Sequence, residues 1–143
     1  MIGIRREWVL CALVGGLTAI RADAAQNDRF DGNWLVTVSC PNYSDALGYS
    51  FEVPSTVQHG AFHGERMHDG EAGHLVIDGT ISSDGHAELY AKGLIGAKQF
   101  AVGQRPKGTE YGYHIAATFD GSKGIGHRIE GRPCDLNFIK QSG

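Results

Sequence analysis

The sequence predicts an all-β domain, a small antiparallel up-and-down barrel of about eight strands. We also expect a disulfide to join its first and last strands. Apolar and polar residues alternate in several short runs, which is typical of strands with one buried face. Asp-Gly occurs five times, at 31–32, 69–70, 78–79, 84–85 and 120–121, and this dipeptide favours hairpin turns because both residues tolerate positive φ. No window shows sustained helical periodicity, so the chain reads as a meander of short strands.

Residues 1–24 are typical of a secretory signal peptide, which is removed from the mature protein. Arg5 and Arg6 supply the basic region, and residues 8–20 form an apolar stretch too short to span a bilayer. Residues 22–24 read Ala-Asp-Ala and fit a small-x-small cleavage site. We therefore expect a periplasmic or secreted protein that has no membrane span in its mature form.

Residues 25–143 are long enough for one domain and too short for two. Removing the three arginines and two acids of the leader from the 13 basic and 16 acidic residues leaves 10 and 14, a net charge of −4. Phosphate binding needs a clustered basic surface, so the sequence predicts no nucleic-acid partner. We expect the mature protein to be a monomer.

Cys40 and Cys134 are the two cysteines of the mature domain, and an isolated pair in an exported protein is most simply a disulfide. A redox pair would favour Cys-x-x-Cys spacing, and a metal site would need more ligands nearby. Cys40 lies on the apolar strand face that begins at Trp34, and Cys134 lies on the face of Leu136 and Phe138. A bond between them joins two apolar faces, so it places the last strand beside the first and closes a barrel.

The individual strands are legible from alternation and turn residues. Pro54 is expected to end the second strand, because proline cannot donate to a strand ladder. Gly79 interrupts its run and predicts a bulge or a barrel bend. Residues 95–108 lack strand character and form a long loop, a kind of segment that is usually functional or mobile. The predicted strands are 33–40, 47–53, 56–59, 61–66, 74–82, 86–94, 111–119, 125–131 and 134–140.

The tripeptide Gly32-Asn33-Trp34 resembles the Gly-x-Trp that starts the first barrel strand of calycins, the group of lipocalins, avidins and related secreted protease inhibitors. In lipocalins this tryptophan closes one end of the barrel against an arginine from near the last strand. The resemblance therefore implies that Arg128 or Arg132 packs against Trp34. The chain departs from lipocalins in lacking a second motif such as Thr-Asp-Tyr.

The mature chain is also similar to a set of small exported proteins of unknown function from alphaproteobacteria. The similarity rests on the segments 30–34, 40–41, 48–51 and 132–135. It implies a Gram-negative periplasmic setting and carries no activity with it.

Aromatic residues are the candidates for a binding site. Tyr49, Phe51, Tyr111 and Tyr113 alternate with small or polar residues, so they share the inward faces of two predicted strands. If they point inward, they can line a site for a small apolar or amphipathic ligand. The alternative is that the rings simply fill the barrel.

Residues suited to catalysis or metal binding show no defined pattern. The histidines at 59, 63, 68 and 74 lie close together with Asp69 and Glu71, yet they match no signature such as His-Glu-x-x-His. No serine lies in a Gly-x-Ser-x-Gly turn. The sequence therefore predicts a non-catalytic protein with no metal and no cofactor.

We expect a periplasmic or secreted binding protein for a small apolar or amphipathic ligand. The first alternative is a protein-interaction module, such as an inhibitor of a secreted hydrolase, that acts through its termini or loops. The best candidate for a partner contact is the long loop with Arg105 and Lys107. The second alternative is an envelope protein of structural role. A cavity lined by the four aromatic residues favours ligand binding, whereas a solid core with a protruding loop favours the inhibitor.

Overall fold

The structure is a computed structural model and describes residues 28–143, so the predicted leader at 1–24 lies outside the described residues. Eight antiparallel strands form a closed barrel in up-and-down order, as the sequence predicts. Each strand pairs with its neighbours along the chain, and β1 also pairs with β8. The strands are β1 (Gly32–Cys40), β2 (Tyr49–Gln58), β3 (Ala61–Arg66), β4 (Leu75–Ile81), β5 (His86–Leu94), β6 (Glu110–Asp120), β7 (Lys123–Arg128) and β8 (Asp135–Lys140).

The β1–β8 seam closes the barrel, and its register pairs Trp34 with Lys140 and Ser39 with Asp135. Cys40 ends β1 and Cys134 directly precedes β8, so the two cysteines meet at one end of this seam. They form the predicted disulfide, with their Cα atoms 4.3 Å apart. A disulfide of this kind indicates a location outside the reducing cytoplasm.

An aromatic plug fills the other end of the barrel. We use this name for Phe30, Trp34, Phe62, Phe119 and Phe138, all of which are buried. The Trp34 Nε1–H donates to the carbonyl oxygen of Phe30 at 2.8 Å, so the indole is satisfied while it is buried. The Trp34 ring meets the edge of Phe119 at 5.2 Å between ring centres, and Phe119 packs against Phe138 at 4.8 Å.

The prediction that Pro54 ends the second strand is wrong. β2 continues through Pro54, which pairs with Leu35 of β1. On the other side of β2, pairing with β3 extends only as far as Ser55. Pro54 therefore lies where β2 has a neighbour on one side, a position that tolerates a residue without an N–H.

Gly79 lies within regular sheet and forms no bulge, because its register with Phe62 of β3 and Leu89 of β5 is continuous. A β-carbon at this position would clash with the carbonyl oxygen of Glu88 and with the Leu89 side chain. Glycine is needed here because the neighbouring strand approaches closely, which is one of the reasons for glycine inside a strand.

Residues 95–108 join β5 to β6 and contain two short 3-10 helices, Lys98–Phe100 and Val102–Gln104. No helix in residues 28–143 is long and apolar enough to cross a membrane.

Candidate functional site

A cavity of about 750 Å³ lies at the end of the barrel opposite the aromatic plug. The first residues of β2 and β6 and the last residues of β3 and β7 surround it, together with the 95–108 segment. Its size falls within the roughly 300–1,000 Å³ of small-molecule sites. Its aromatic lining consists of Tyr43, Tyr49, Phe51, Phe100 and Tyr111. Its charged lining consists of Arg66, Arg105, Arg128 and Arg132, with no acidic residue.

Three of the four predicted lining residues, Tyr49, Phe51 and Tyr111, contribute to the cavity wall. The fourth, Tyr113, lies one alternation deeper on β6, where it is only 2% exposed and belongs to the core below the cavity. The Tyr49 and Phe51 rings are stacked at 5.5 Å, and the Tyr111 and Tyr113 rings are stacked at 6.2 Å. Both alternatives therefore apply to the four aromatic residues, since three of them line the cavity and Tyr113 fills the barrel.

The two tyrosines of β6 stay neutral at physiological pH. Burial is the main cause that raises the pKa of Tyr111 to about 12, and the nearby Tyr49 adds to this rise. Arg66 and Arg128 oppose the rise in the pKa of Tyr111, so both guanidinium groups act on its hydroxyl. Burial also raises the pKa of Tyr113 far above its ordinary value. The hydroxyl at the cavity wall therefore remains a hydrogen-bond donor.

The prediction that Arg128 or Arg132 packs against Trp34 is wrong. The antiparallel register places Trp34 beside Lys140 at the plugged end, whereas both arginines lie at the cavity end. The guanidinium of Arg128 lies over the Tyr113 ring at 4.3 Å, and that of Arg132 lies over the Tyr49 ring at 4.8 Å. An arginine does reach the plug, but it is Arg29, which lies over the Phe30 ring.

Arg132 is a buried charge that holds the cavity wall together, and it is only 3% exposed. Its Nη1 donates to the Phe100 carbonyl oxygen at 2.7 Å. Its Nη2 donates to the carbonyl oxygens of Pro41 and Leu47 at 2.7 and 2.6 Å. These contacts fasten the β1–β2 connection and the 95–108 segment to one side chain. The Arg132 Nε is buried and has no partner within residues 28–143.

The 95–108 segment forms a wall of the cavity. Asp45 anchors it, because the Asp45 carboxylate accepts from the Gly103 N–H at 2.8 Å and its carbonyl oxygen accepts from Gln104 Nε2 at 2.8 Å. Arg105 lines the cavity from this segment, whereas Lys107 is exposed and does not line it. The two residues predicted to form one partner surface therefore have different surroundings.

Two aromatic–arginine arms face each other across the cavity. Each arm begins with a Tyr-x-aromatic pair at the start of one strand. It is completed by the arginine that ends the next strand, which follows the second aromatic residue by 15 positions. β2 lies opposite β6 in the closed order, and β3 lies opposite β7. In both arms the guanidinium carbon lies 4.3 Å from the centre of the second ring. The first arm is Tyr49, Phe51 and Arg66, and the second arm is Tyr111, Tyr113 and Arg128.

Tyr43, Phe100 and Arg66 line the cavity but are not among the predicted site residues, and Arg66 is the one that a signal in the sequence could have revealed. The signal that would have found it is a spacing, since every member of the second arm follows its counterpart in the first by 62 positions. Phe100 and Arg132 carry no comparable signal, because their places depend on how two connections fold over the barrel end.

Most histidines are paired with carboxylates on the outside of the barrel. His63 Nδ1 lies 2.6 Å from Asp78, and His74 Nε2 lies 2.9 Å from Glu65. The pairs His59–Asp28, His114–Glu130 and His127–Asp135 have the same form.

Asp28, Asp31 and His59 are three residues that could hold a metal, with candidate ligand atoms within 4.8 Å of one another at the plugged end. Hydrogen bonds of His59 to both aspartates account for this arrangement.

No protein-family model, curated protein or solved structure matches this chain. The fold therefore defines the chain as a disulfide-closed, eight-stranded antiparallel barrel with one cavity end and one plugged end. The calycin and alphaproteobacterial resemblances stay predictions.

Proposed function

We propose that this protein binds a small amphipathic molecule in the cavity at the open end of its barrel, and that it does so in the periplasm or after secretion. The observation that carries the proposal is the cavity itself, which combines aromatic and aliphatic walls with a few polar groups. This combination is typical of small-molecule sites. The disulfide supports the location, because such bonds persist outside the cytoplasm.

The construction of the two barrel ends supports ligand binding over simple packing. At the plugged end this chain packs aromatic rings into the barrel, with Trp34 and Phe119 both buried. At the other end the rings of Tyr49, Phe51 and Tyr111 are only partly buried and leave space between opposite walls. A chain that required only a packed core would have no need of this asymmetry.

The 95–108 segment argues for ligand binding over hydrolase inhibition. The segment folds over the barrel end, and Asp45 and Arg132 hold it there. Its residues Ile95, Ala101 and Val102 line the cavity. A segment that forms a cavity wall contributes to a small-molecule site, whereas an inhibitory loop has to project into the partner's cleft.

Native mass spectrometry of the protein purified without detergent from its source cells tests the proposal. We expect a small-molecule adduct that is lost on denaturation, and we expect Ala97→Trp to reduce it, because Ala97 lines the cavity and an indole takes up its space. Ala116→Trp is the matched control, since Ala116 is exposed on the outer face of β6. A wild-type protein without adduct, or equal adducts on both variants, contradicts the proposal.

A further inference from the structure

We propose that the ligand is an anion, an amphiphile whose carboxylate or phosphate head group is bound by the arginines of the cavity. This inference rests on the proposed function and adds the charge of the ligand to it. The head group would be bound by Arg66, Arg105, Arg128 and Arg132, and the apolar part by the aromatic rings and the 95–108 wall.

The distribution of charge in the chain is the first support. The whole sequence has a net charge of −3, yet the cavity is lined by four of the five arginines in residues 28–143 and by no acidic residue. No ion pair within that range includes any of these four arginines. The remaining arginine, Arg29, does pair with a carboxylate, that of Asp120 at 3.6 Å. Acidic side chains therefore do not line the cavity, and the Arg128 charge helps to lower the pKa of one that lies outside its lining, Glu130.

The burial of Arg132 is the second support. Burial of a guanidinium has a desolvation cost that hydrogen bonds to carbonyl oxygens offset only in part and that an opposite charge would offset further. Arg132 donates to three carbonyl oxygens, and its Nε remains buried without a partner in residues 28–143. An anion in the cavity would supply the missing negative charge.

The geometry of the two arms is the third support. Arg66 and Arg128 lie over aromatic rings, which holds them in place and leaves guanidinium edges available to donate. In Arg128 this is the edge with the two Nη groups, because its Nε already donates to the Glu130 carbonyl oxygen at 2.7 Å. These edges match the two oxygens of a carboxylate or phosphate, which arginine binds in bidentate fashion. Because β3 and β7 lie on opposite sides of the barrel, the two arginines approach the cavity from opposite walls. A neutral ligand would offer no opposite charge to these two guanidinium groups.

Calorimetric titration with four ten-carbon probes tests the inference: decanoate, decyl phosphate, 1-decanol and decyltrimethylammonium. We expect both anions to bind at least about tenfold more tightly than decanol, the cation to bind most weakly, and salt to weaken the anions selectively. Tighter binding of decyl phosphate than of decanoate identifies a phosphate head group, and the reverse order identifies a carboxylate. Equal affinities for decanol and both anions overturn the inference and leave the proposed function standing. Binding of no probe overturns both.

Charge-removing variants locate the head group. Arg66→Gln and Arg128→Gln keep a polar side chain, and each should weaken anion binding about tenfold while affinity for decanol stays the same. Arg29→Gln is the matched control, because Arg29 lies at the plugged end, and it should leave all four affinities unchanged. If Arg66→Gln and Arg128→Gln lower the affinity for decanol as much as the affinity for decanoate, the two side chains act through their shape and the inference is wrong. Circular dichroism confirms that each variant is folded.

Discussion

Arg132 donates to the Leu47 carbonyl oxygen at 2.6 Å, across 85 positions of sequence, from a side chain that is 3% exposed. Through the same guanidinium it also holds the carbonyl oxygens of Pro41 and Phe100. One side chain therefore joins the β1–β2 connection, the 95–108 segment and the residues before β8. The contribution of this side chain to the stability of the fold can be measured.

Arg132→Met should destabilise the protein by about 2–4 kcal/mol, because three carbonyl oxygens lose their donor. Arg132→Lys should not restore the lost stability, because an ammonium group cannot reproduce the planar set of donors of a guanidinium. Urea unfolding measures both variants. Arg29→Met, at the exposed plugged end, is the control and should change stability by less than about 0.5 kcal/mol. An Arg132→Met protein as stable as this control would show that the three Arg132 hydrogen bonds do not stabilise the fold.

Replacing both Cys40 and Cys134 by alanine should lower the free energy of unfolding by about 2–5 kcal/mol. The bond closes a loop with a sequence separation of 94, and the chain-entropy account gives about 4–5 kcal/mol as an upper figure for that length. Urea unfolding of the double variant measures this loss. The wild-type protein under reducing conditions provides an independent comparison and should unfold at the same urea concentration as the variant. Equal stability of the oxidised wild type and the variant would show that strand pairing alone closes the seam.

Gly79→Ala should destabilise the barrel by about 1–3 kcal/mol, the range for overpacking. The added methyl group meets the Glu88 carbonyl oxygen, which belongs to the paired strand and cannot move independently of it. The control is Gly96→Ala, because a methyl group there meets its nearest neighbour at an ordinary 3.5 Å. Thermal unfolding of the two variants decides the matter. A Gly79→Ala protein no less stable than Gly96→Ala would mean that β4 and β5 separate easily.

Stability should fall as the pH rises from about 6 to about 9. A hydrogen bond with Asp78 is the main cause that raises the pKa of His63, and one with Asp28 raises the pKa of His59. Folding therefore favours the protonated imidazoles. Their contribution is full below the ordinary value of 6.5 and is lost as the pH rises through the raised pKa values.

Melting temperatures of wild type, Asp78→Asn and Glu52→Gln across this range test the histidine effect. Asp78→Asn should flatten the decline, because it removes the charged partner of His63. Glu52 is exposed on β2 and forms no ion pair within residues 28–143, so Glu52→Gln should keep the wild-type slope. A wild-type protein whose melting temperature rises with pH over this range would contradict the prediction.

On the acid side the sign is reversed. A hydrogen bond from His74 is the main cause that lowers the pKa of Glu65, and the His114 backbone N–H does the same for Glu130. Their contribution is present above the ordinary value of 4.5 and is lost as the pH falls through the lowered pKa values. We therefore expect greatest stability between about pH 4.5 and pH 6.5. A stability maximum measured above pH 7 would contradict this assignment.

The barrel and its disulfide could be predicted because they depend on a repeated pattern. Inward and outward residues alternate along each strand, so the faces of Cys40 and Cys134 follow from those of Trp34 and Phe138. A shift of one residue in the alternation would place a cysteine on the outer face of the barrel, away from the other cysteine. The prediction for Pro54 is wrong because a strand tolerates proline where a neighbouring strand is missing. That depends on how far β3 extends, which alternation does not reveal.

The cavity could be predicted only in part, because its charged lining comes from the ends of strands and from the connections between them. Alternation identified Tyr49, Phe51 and Tyr111, which belong to strands. Arg132 lies between β7 and β8, and its position is set by carbonyl groups far away in sequence. The resemblance to calycins led to the wrong end of the barrel for the same reason. Strand pairing determines which end an arginine occupies, and a tripeptide contains no information about pairing.

The closure of the barrel restricts how the proposed ligand can enter and leave. The aromatic plug fills one end of the barrel, and the disulfide closes the β1–β8 seam beside the cavity at the other end. The 95–108 segment forms part of the cavity wall and is held by hydrogen bonds to Asp45 and Arg132. If the proposed ligand enters past this segment, Asp45→Ala should raise its association and dissociation rates more than it changes its affinity. The residence time of the proposed ligand would then depend on one connection between strands, and its affinity on the strands that form the other walls.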